Sequence, residues 1–166
     1  MPSTYEPIAT TTLGSAVSTY QFTSIPSTYT DLIVIMQPAL SVSNNAIYLD
    51  FNNDTATNYS WTALTGNGSA ATTARASNQG LGSVANDLLY PSSTLGATTI
   101  IINIQNYKNT TTNKTYLVRG GQAGSGTQEL AGLWRNTAAI NAIKFYASGS
   151  NFSIGSTFTL YGIKAA

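Results

Sequence analysis

Short runs of residues that alternate between apolar and polar side chains recur along this chain, and they predict β-strands. In such a run successive side chains point to opposite faces of a sheet, so one face is buried and the other is polar. Ile100, Ile102 and Ile104 share one face of a run whose other face carries Thr99 and Asn103. The strand-like runs fall at residues 20–25, 31–37, 46–51, 59–64, 98–107, 115–119, 128–135, 142–147 and 157–163.

The segments between these runs are short and rich in turn-forming residues, and no window carries the apolar stripe of a helix. Residues 72–95 give no clear pattern. About nine strands separated by tight turns are typical of an antiparallel β-sandwich. We therefore predict one all-β domain over residues 13–166, an antiparallel jelly-roll-like β-sandwich.

Residues 1–12 show no periodicity, and Pro2 and Pro7 favour an extended backbone there. We predict that this segment is an extended N-terminal arm, outside the strand pattern, that binds a partner protein. Tyr5 and Ile8 are the residues best able to fill a pocket on that partner, with Pro7 fixing the bend between them. The alternative is that the segment caps an open end of its own sandwich.

Charged residues make up 8% of the 166-residue chain, far below the usual quarter, and Ser, Thr and Asn supply most of the polar surface instead. The net charge is +1 and the basic residues are scattered, so we expect no nucleic-acid partner. No apolar stretch has the length of a membrane span, so we expect no membrane association. The N-terminus carries neither the basic nor the apolar segment of a signal peptide, and we expect synthesis in a cytoplasm.

The chain has no Cys and no His, which removes thiolate nucleophiles, the commonest general base and the commonest metal ligand. Segment 50–54 places oxygen atoms at alternate positions, but Thr55 and Trp61 stand where a calcium loop needs Gly and Glu, so a turn is predicted. Segment 66–71 matches the letters of a dinucleotide motif without a helix after it, which predicts a glycine hairpin. The glycine-rich segment 120–126 is predicted to be a mobile loop.

Carboxylates remain as candidates for acid–base chemistry, and two of them at a suitable separation would suffice for a glycosidase. Each lies at a predicted strand edge or turn, where a solvated carboxylate needs no further function. We therefore expect that the protein is not an enzyme and has no catalytic residue, no metal site and no cofactor. The carboxylates are Glu6, Asp31, Asp50, Asp54, Asp87 and Glu129.

The aromatic side chains divide into predicted core and predicted surface positions. Trp61 and Trp134 lie in strand-like runs, where packing in the core is the expected role. Four tyrosines fall on the face opposite the apolar one, or at strand ends, where they could anchor a partner or stack on a sugar. These surface candidates are Tyr48, Tyr107, Tyr146 and Tyr161.

Four blocks of the sequence resemble recurring blocks in small virion structural proteins of tailed bacteriophages. They are the arm at residues 1–12 and residues 51–60, 132–135 and 151–163, the last of which ends a strand with Leu-Tyr-Gly-Ile. In that family the turn after the first Phe reads Phe-Asn-Gly-Asp-Thr, and here Asn53 replaces the Gly, which a left-handed backbone tolerates. The resemblance implies a capsid decoration (cement) protein or a tail or fibre component, and it supplies no catalytic residues.

As a cement protein, the chain would bind across junctions between major capsid subunits on the outer surface of the capsid, after synthesis in the host cytoplasm. The resemblance also implies a homotrimer, and the low charge limits repulsion between subunits. Its partners would then be copies of itself and the major capsid protein or another virion protein. The alternative is a tail or fibre module that binds a receptor or a glycan.

Overall fold

The computed structural model describes residues 4–42, 45–86 and 91–164, which form β-strands and turns and no helix. None of the described residues belongs to a helix that is long and apolar enough to cross a membrane. The strands are β1 (Tyr5–Thr12), β2 (Thr19–Phe22), β3 (Asp31–Gln37), β4 (Ile47–Phe51), β5 (Tyr59–Gly66), β6 (Ala71–Gln79), β7 (Gly82–Ala85), β8 (Thr98–Ile104), β9 (Lys114–Gln122), β10 (Gly126–Trp134), β11 (Ile143–Ala147) and β12 (Thr157–Ile163).

The strands form two antiparallel sheets that pack face to face. One sheet has eight strands in the order β1-β12-β3-β8-β9-β10-β5-β6, and the other has four in the order β2-β11-β4-β7. Aromatic rings join the two layers: Tyr20 of β2 stacks on Phe158 of β12 with ring centroids 4.3 Å apart, and Phe145 of β11 lies 6.0 Å from Phe158. The prediction of an all-β antiparallel sandwich is confirmed.

The order of eight of these strands is that of a jelly roll. Strands β1, β12, β3 and β8 form one side, and β2, β11, β4 and β7 form the other, as two interlocked Greek keys require. The remaining four strands are two hairpins inserted between jelly-roll strands, β5–β6 after β4 and β9–β10 after β8. Both hairpins extend the same sheet beyond β8. The sequence pattern predicted the strands of these hairpins in part, but not their place in the sheet.

The core beneath the inserted hairpins is aromatic. Trp134, Tyr59, Tyr116 and Phe51 are fully or almost fully buried. The ring of Phe51 lies 5.4 Å from Trp134 and 5.8 Å, edge-on, from Tyr116. The core position predicted for Trp134 is confirmed, and Trp61 packs against the same core while partly exposed.

Residues 5–12 are extended as predicted, but they are not separate from the sandwich. They form β1, which pairs along its length with β12. Ile8 packs against the core, and Glu6 forms an ion pair with Lys164 at 2.8 Å. The alternation was hidden by an irregularity in register between Pro7 and Ala9, and an edge strand accepts proline because it needs no outward N–H group. Residues 1–3, with Pro2, lie outside the described residues.

Deletion of residues 2–10 should therefore lower stability, rather than leave the domain unchanged as a separate arm would. The deletion removes most of β1, its backbone hydrogen bonds to β12 and the packing of Ile8. We expect a loss of about 2–4 kcal/mol in the free energy of unfolding. Urea unfolding followed by tryptophan fluorescence measures it. A shorter deletion of residues 2–4 is the control, and equal midpoints for the two deletions would contradict the assignment of β1 to the fold.

Candidate interaction surface

The inserted hairpins create a broad surface on the side of the eight-stranded sheet that faces away from the four-stranded sheet. Across it, cross-strand pairs align Ile101, Arg119, Glu129 and Leu64 in one row. The intervening residues of the same strands point inward and are buried: Val118, Leu130 and Ala63. We call this surface, formed by β8, β9, β10, β5 and β6, the outer face.

Two leucines on the outer face are exposed to solvent. Leu64 is 53% exposed, and Leu117 of β9 is 43% exposed. Leu117 lies opposite Ala131 of β10 on one side and Asn103 of β8 on the other, so its cross-strand neighbours leave it exposed. Nothing in the described part of the chain covers these leucines, which are exposed apolar positions on a polar surface, one on each side of β10.

A first shallow depression of about 560 Å³ lies on the outer face. Its walls include Leu64, Ile101, Arg119 and Glu129, and small residues form much of its floor. Arg119 and Glu129 stand directly opposite each other on neighbouring strands and are both exposed, so their charges nearly balance. The small floor residues are Gly66, Ala71, Gly120 and Gly121.

A second depression of about 710 Å³ lies toward β6. Two arginines line it, Arg75 of β6 and Arg135 just after β10, and none of its lining residues is acidic. The guanidinium of Arg135 donates to Oγ of Ser60 at 3.1 Å and to the carbonyl oxygen of Asn58 at 3.4 Å. The side chain of Arg135 is therefore held in place, and the depression carries positive charge.

The turn 50–54 is held by its own side chains, as the sequence predicts. Asn52 and Asn53 both have a left-handed backbone with φ of 58°, which asparagine accepts more readily than most residues. The carboxylate of Asp50 is buried, and it accepts hydrogen bonds from the N–H group of Asn53 and the hydroxyl of Tyr146. Within the described ranges, no three His, Cys, Asp or Glu side chains lie together as a metal site requires.

The carboxylate of Asp54 joins this turn to the end of β10. It accepts hydrogen bonds from indole Nε1 of Trp134 at 2.8 Å, from the Asn58 amide at 2.9 Å and from the Asn136 amide at 3.2 Å. The N–H group of Ala56 donates to its other oxygen. Burial alone would raise the pKa of Asp54, but these hydrogen bonds outweigh it and hold the pKa below its ordinary value.

The buried cation Lys114 also stabilises the fold through its hydrogen bonds. Its Nζ donates to the carbonyl oxygens of Thr112 at 2.9 Å and Thr137 at 3.0 Å. Burial lowers the pKa of its ammonium group. The hydrogen bonds of Asp50, Asp54 and Lys114 give each of them a structural role at the ends of strands.

No protein-family model matches this chain, and neither does any curated protein. Among solved structures, the chain is similar to an exo-inulinase from Aspergillus awamori, at 13% sequence identity and a TM-score of 0.37. The match covers 96% of this chain and 29% of the inulinase chain. A likeness this distant carries no argument about activity.

The four tyrosines predicted to be at the surface do not form one site. Tyr107 is buried, which corrects the prediction: its hydroxyl donates to the carbonyl oxygen of Pro26 and accepts from the N–H group of Tyr29. It follows the end of β8, where the direction of the ring depends on packing and not on strand alternation. The other three, Tyr48, Tyr146 and Tyr161, are partly exposed.

Those three tyrosines lie on different sheets. Tyr48 and Tyr146 are opposite each other on β4 and β11 of the four-stranded sheet, whereas Tyr161 belongs to β12 of the eight-stranded sheet. Lys144 lies over the ring of Tyr146 at 4.9 Å, and burial together with Asp50 raises the pKa of the Tyr146 hydroxyl. Tyr146 therefore interacts with Lys144 and Asp50 of its own sheet.

Of the three arm residues predicted to bind a partner, two are exposed and one packs against the protein's own core. Tyr5 is 55% exposed and Pro7 is exposed, whereas Ile8 contacts the protein's own core. The predicted glycine hairpin at 66–71 is confirmed as the β5–β6 turn. Segment 120–126 is not a loop, because its two ends belong to β9 and β10 and only 123–125 make the turn. Asp87 lies outside the described residues.

Sequence reasoning missed the residues that mark the outer face, Leu64, Leu117 and Arg75. A signal was present, because an exposed leucine on the polar face of an alternating strand breaks the pattern. For Arg75 the signal was weak, since most of β6 is exposed and its two half-buried residues, Ala74 and Ala76, have small side chains.

Proposed function

We propose that this protein is a structural component of a bacteriophage virion, a decoration protein that binds across junctions between major capsid subunits. The observation that carries the proposal is the outer face, a broad surface whose exposed leucines nothing in the described chain covers. Exposed apolar patches mark protein interaction sites. The resemblance of four sequence blocks to virion proteins supports the class of partner, and we assign the protein no catalytic role.

The outer face suits repeated attachment to a lattice. Burying the remaining exposed surface of Leu64 and Leu117 contributes on the order of 1–2 kcal/mol each, which is modest for one contact. A homotrimer presents three such faces at once, and linked contacts multiply affinity without new interactions. The low charge of the chain keeps repulsion between copies small. Trimerisation is part of this proposal.

A receptor- or glycan-binding tail module is the second candidate, and the depression beside β6 favours it. Arg75, Arg135 and Ser60 offer hydrogen-bond donors there, and the partly exposed Trp61 contributes to its lining. Sugar sites combine aromatic and polar groups in this way. A site of this kind requires few copies per particle, whereas decoration of the capsid requires many.

Paired substitution of the leucines, Leu64→Asp with Leu117→Asp, should reduce the number of copies retained on purified virions at least about ten-fold. A carboxylate buried without a partner in a dry interface costs its free energy of desolvation in addition to the lost apolar contact. Quantitative gel densitometry of purified particles measures the copies. Unchanged occupancy would contradict attachment through the outer face.

Ile154→Asp is the matched control, because Ile154 is 60% exposed in the turn before β12 and outside the outer face. The copy number of the unmodified protein separates the two candidates. Hundreds of copies per virion agree with decoration, and a few to tens agree with a tail component. Absence from purified virions would overturn both.

A further inference from the structure

Three of the four sheet edges in the described structure are protected against pairing with another strand. Strand β1 carries Pro7 and a register irregularity, both of which blunt an edge. Strands β2 and β7 have four residues each, too few for a long ladder. Natural sheets use such devices because an open edge is a template for any extended chain.

Strand β6 is the exception. It has nine residues, Ala71–Gln79, most of them exposed, and it contains no proline, no lysine and no acidic side chain. None of the loop backbone hydrogen bonds within the described residues reaches it. Its pairing with β5 is regular from Ala71 to Ala76, and a register irregularity, with Asn78 in the left-handed region, affects only the end of the strand beyond Ala76.

The hydrogen-bond pattern of the hairpin shows which groups are open. The N–H group of Asn67 donates to the carbonyl oxygen of Ala70, so these two residues form a bonded pair. Bonded and non-bonded pairs alternate along an antiparallel ladder. Positions 72, 74 and 76 therefore bond to β5, and the N–H and C=O groups of Ala71, Thr73 and Arg75 point to the open edge.

We propose that the β6 edge binds an extended polypeptide segment by strand addition, and that a carboxylate of that segment pairs with Arg75 and Arg135. Main-chain bonds supply affinity in this mode, and side-chain pockets supply specificity. The arginine-lined depression beside β6 has no acidic residue of its own, so it is complementary to an anionic side chain. The inference rests on the proposed function for the identity of the partner, a neighbouring virion subunit.

A second copy of the chain fits this edge poorly. Two β6 strands that overlap fully in antiparallel orientation place Arg75 opposite Arg75 of the other copy, because Arg75 is the central residue of Ala71–Gln79. Like charges directly opposite each other are destabilising. Shifting the register relieves this contact but leaves part of the edge unpaired.

Two synthetic peptides test the proposal directly. Both alternate Thr and Val over nine residues, one with Glu and the other with Lys at the centre. With the full-length protein, we expect the Glu peptide to shift the NMR amide resonances of Ala71, Thr73 and Arg75, and to bind at least about ten-fold more tightly than the Lys peptide. No shift in β6, or equal affinity for both peptides, would overturn the proposal.

Variants of β6 provide the controls. Thr73→Pro removes an outward N–H group and should abolish binding, while Thr73→Val keeps that group and should bind normally. Arg75→Glu leaves the backbone edge intact and should reverse the preference toward the Lys peptide, which tests the proposal even if Thr73→Pro fails to fold. A dimer in sedimentation that Thr73→Pro abolishes would instead assign the edge to self-association and overturn the proposal.

The outcomes for the edge and for the virion role are separable. Peptide binding at β6 by a protein that is absent from virions would refute the proposed function and leave the edge site in place. Abundant copies on virions, with no response of β6 to either peptide, would refute the edge site alone.

Discussion

Replacing Gly132 by Ala should destabilise the protein by about 3 kcal/mol, near the upper end of the range for overpacking a core. The ring of Tyr116 lies directly over Gly132, and a Cβ atom there would overlap ring atoms Cζ and Cε1. The ring has no free space to enter, because Tyr116 is buried and packs edge-on against Phe51. Its hydroxyl also donates to the carbonyl oxygen of Ser83 at 3.1 Å.

Urea unfolding followed by tryptophan fluorescence measures this effect, because Trp134 is buried in the same cluster. Gly121→Ala is the matched control: it is also a strand glycine, and its Cβ would find its nearest neighbour at 3.8 Å, an ordinary contact. We expect the control to change stability by less than about 1 kcal/mol. Similar losses in the two variants would show that Tyr116 moves aside easily.

Replacing Asp54 by Ala should cost about 3 kcal/mol of stability. The substitution leaves the Trp134 indole, the Asn58 amide and the Asn136 amide without their acceptor, and hydrogen bonds to a charged group are the stronger kind. Asn58 and Asp54 lie in the turn before β5, and Asn136 follows β10, so the loss loosens the junction of both hairpins with the core. Thermal unfolding by circular dichroism measures it.

The same carboxylate predicts a dependence on pH. Since the pKa of Asp54 is lower in the folded protein than its ordinary value, its contribution to stability is fully present above about pH 4. The contribution falls as the pH drops through the folded-state pKa. The stability difference between wild type and Asp54→Asn should therefore shrink below about pH 4. A difference that stays constant to pH 2 would contradict this role.

Strand alternation alone was enough to predict the faces of the regular strands. In β8 the inward positions of Ile100, Ile102 and Ile104 follow from the two-residue period, and all three are fully buried. The turn at Asn52 and Asn53 could likewise be predicted from the local sequence, because asparagine accepts the left-handed backbone that the turn requires.

The local pattern failed where a contact with a distant part of the chain decides the conformation. Residues 5–12 become a strand because β12, at the other end of the sequence, offers them an edge. Tyr107 turns inward because its hydroxyl donates a hydrogen bond to the carbonyl oxygen of Pro26, which is far away in sequence. Neither partner is adjacent in sequence, so no window around these residues contains the reason.

The candidate surface depended on tertiary structure for the same reason. Strands β5 and β6 precede β8 in sequence, yet they join the sheet beyond β10, which follows β8. That order brings Leu64 of β5 and Leu117 of β9 onto one face, and it leaves β6 as an open edge beside the depression that Arg75 and Arg135 line. The two-residue period dictates which side chains share a face of one strand. Which strands share a sheet depends on how the hydrophobic faces and backbone hydrogen bonds of distant segments are satisfied together.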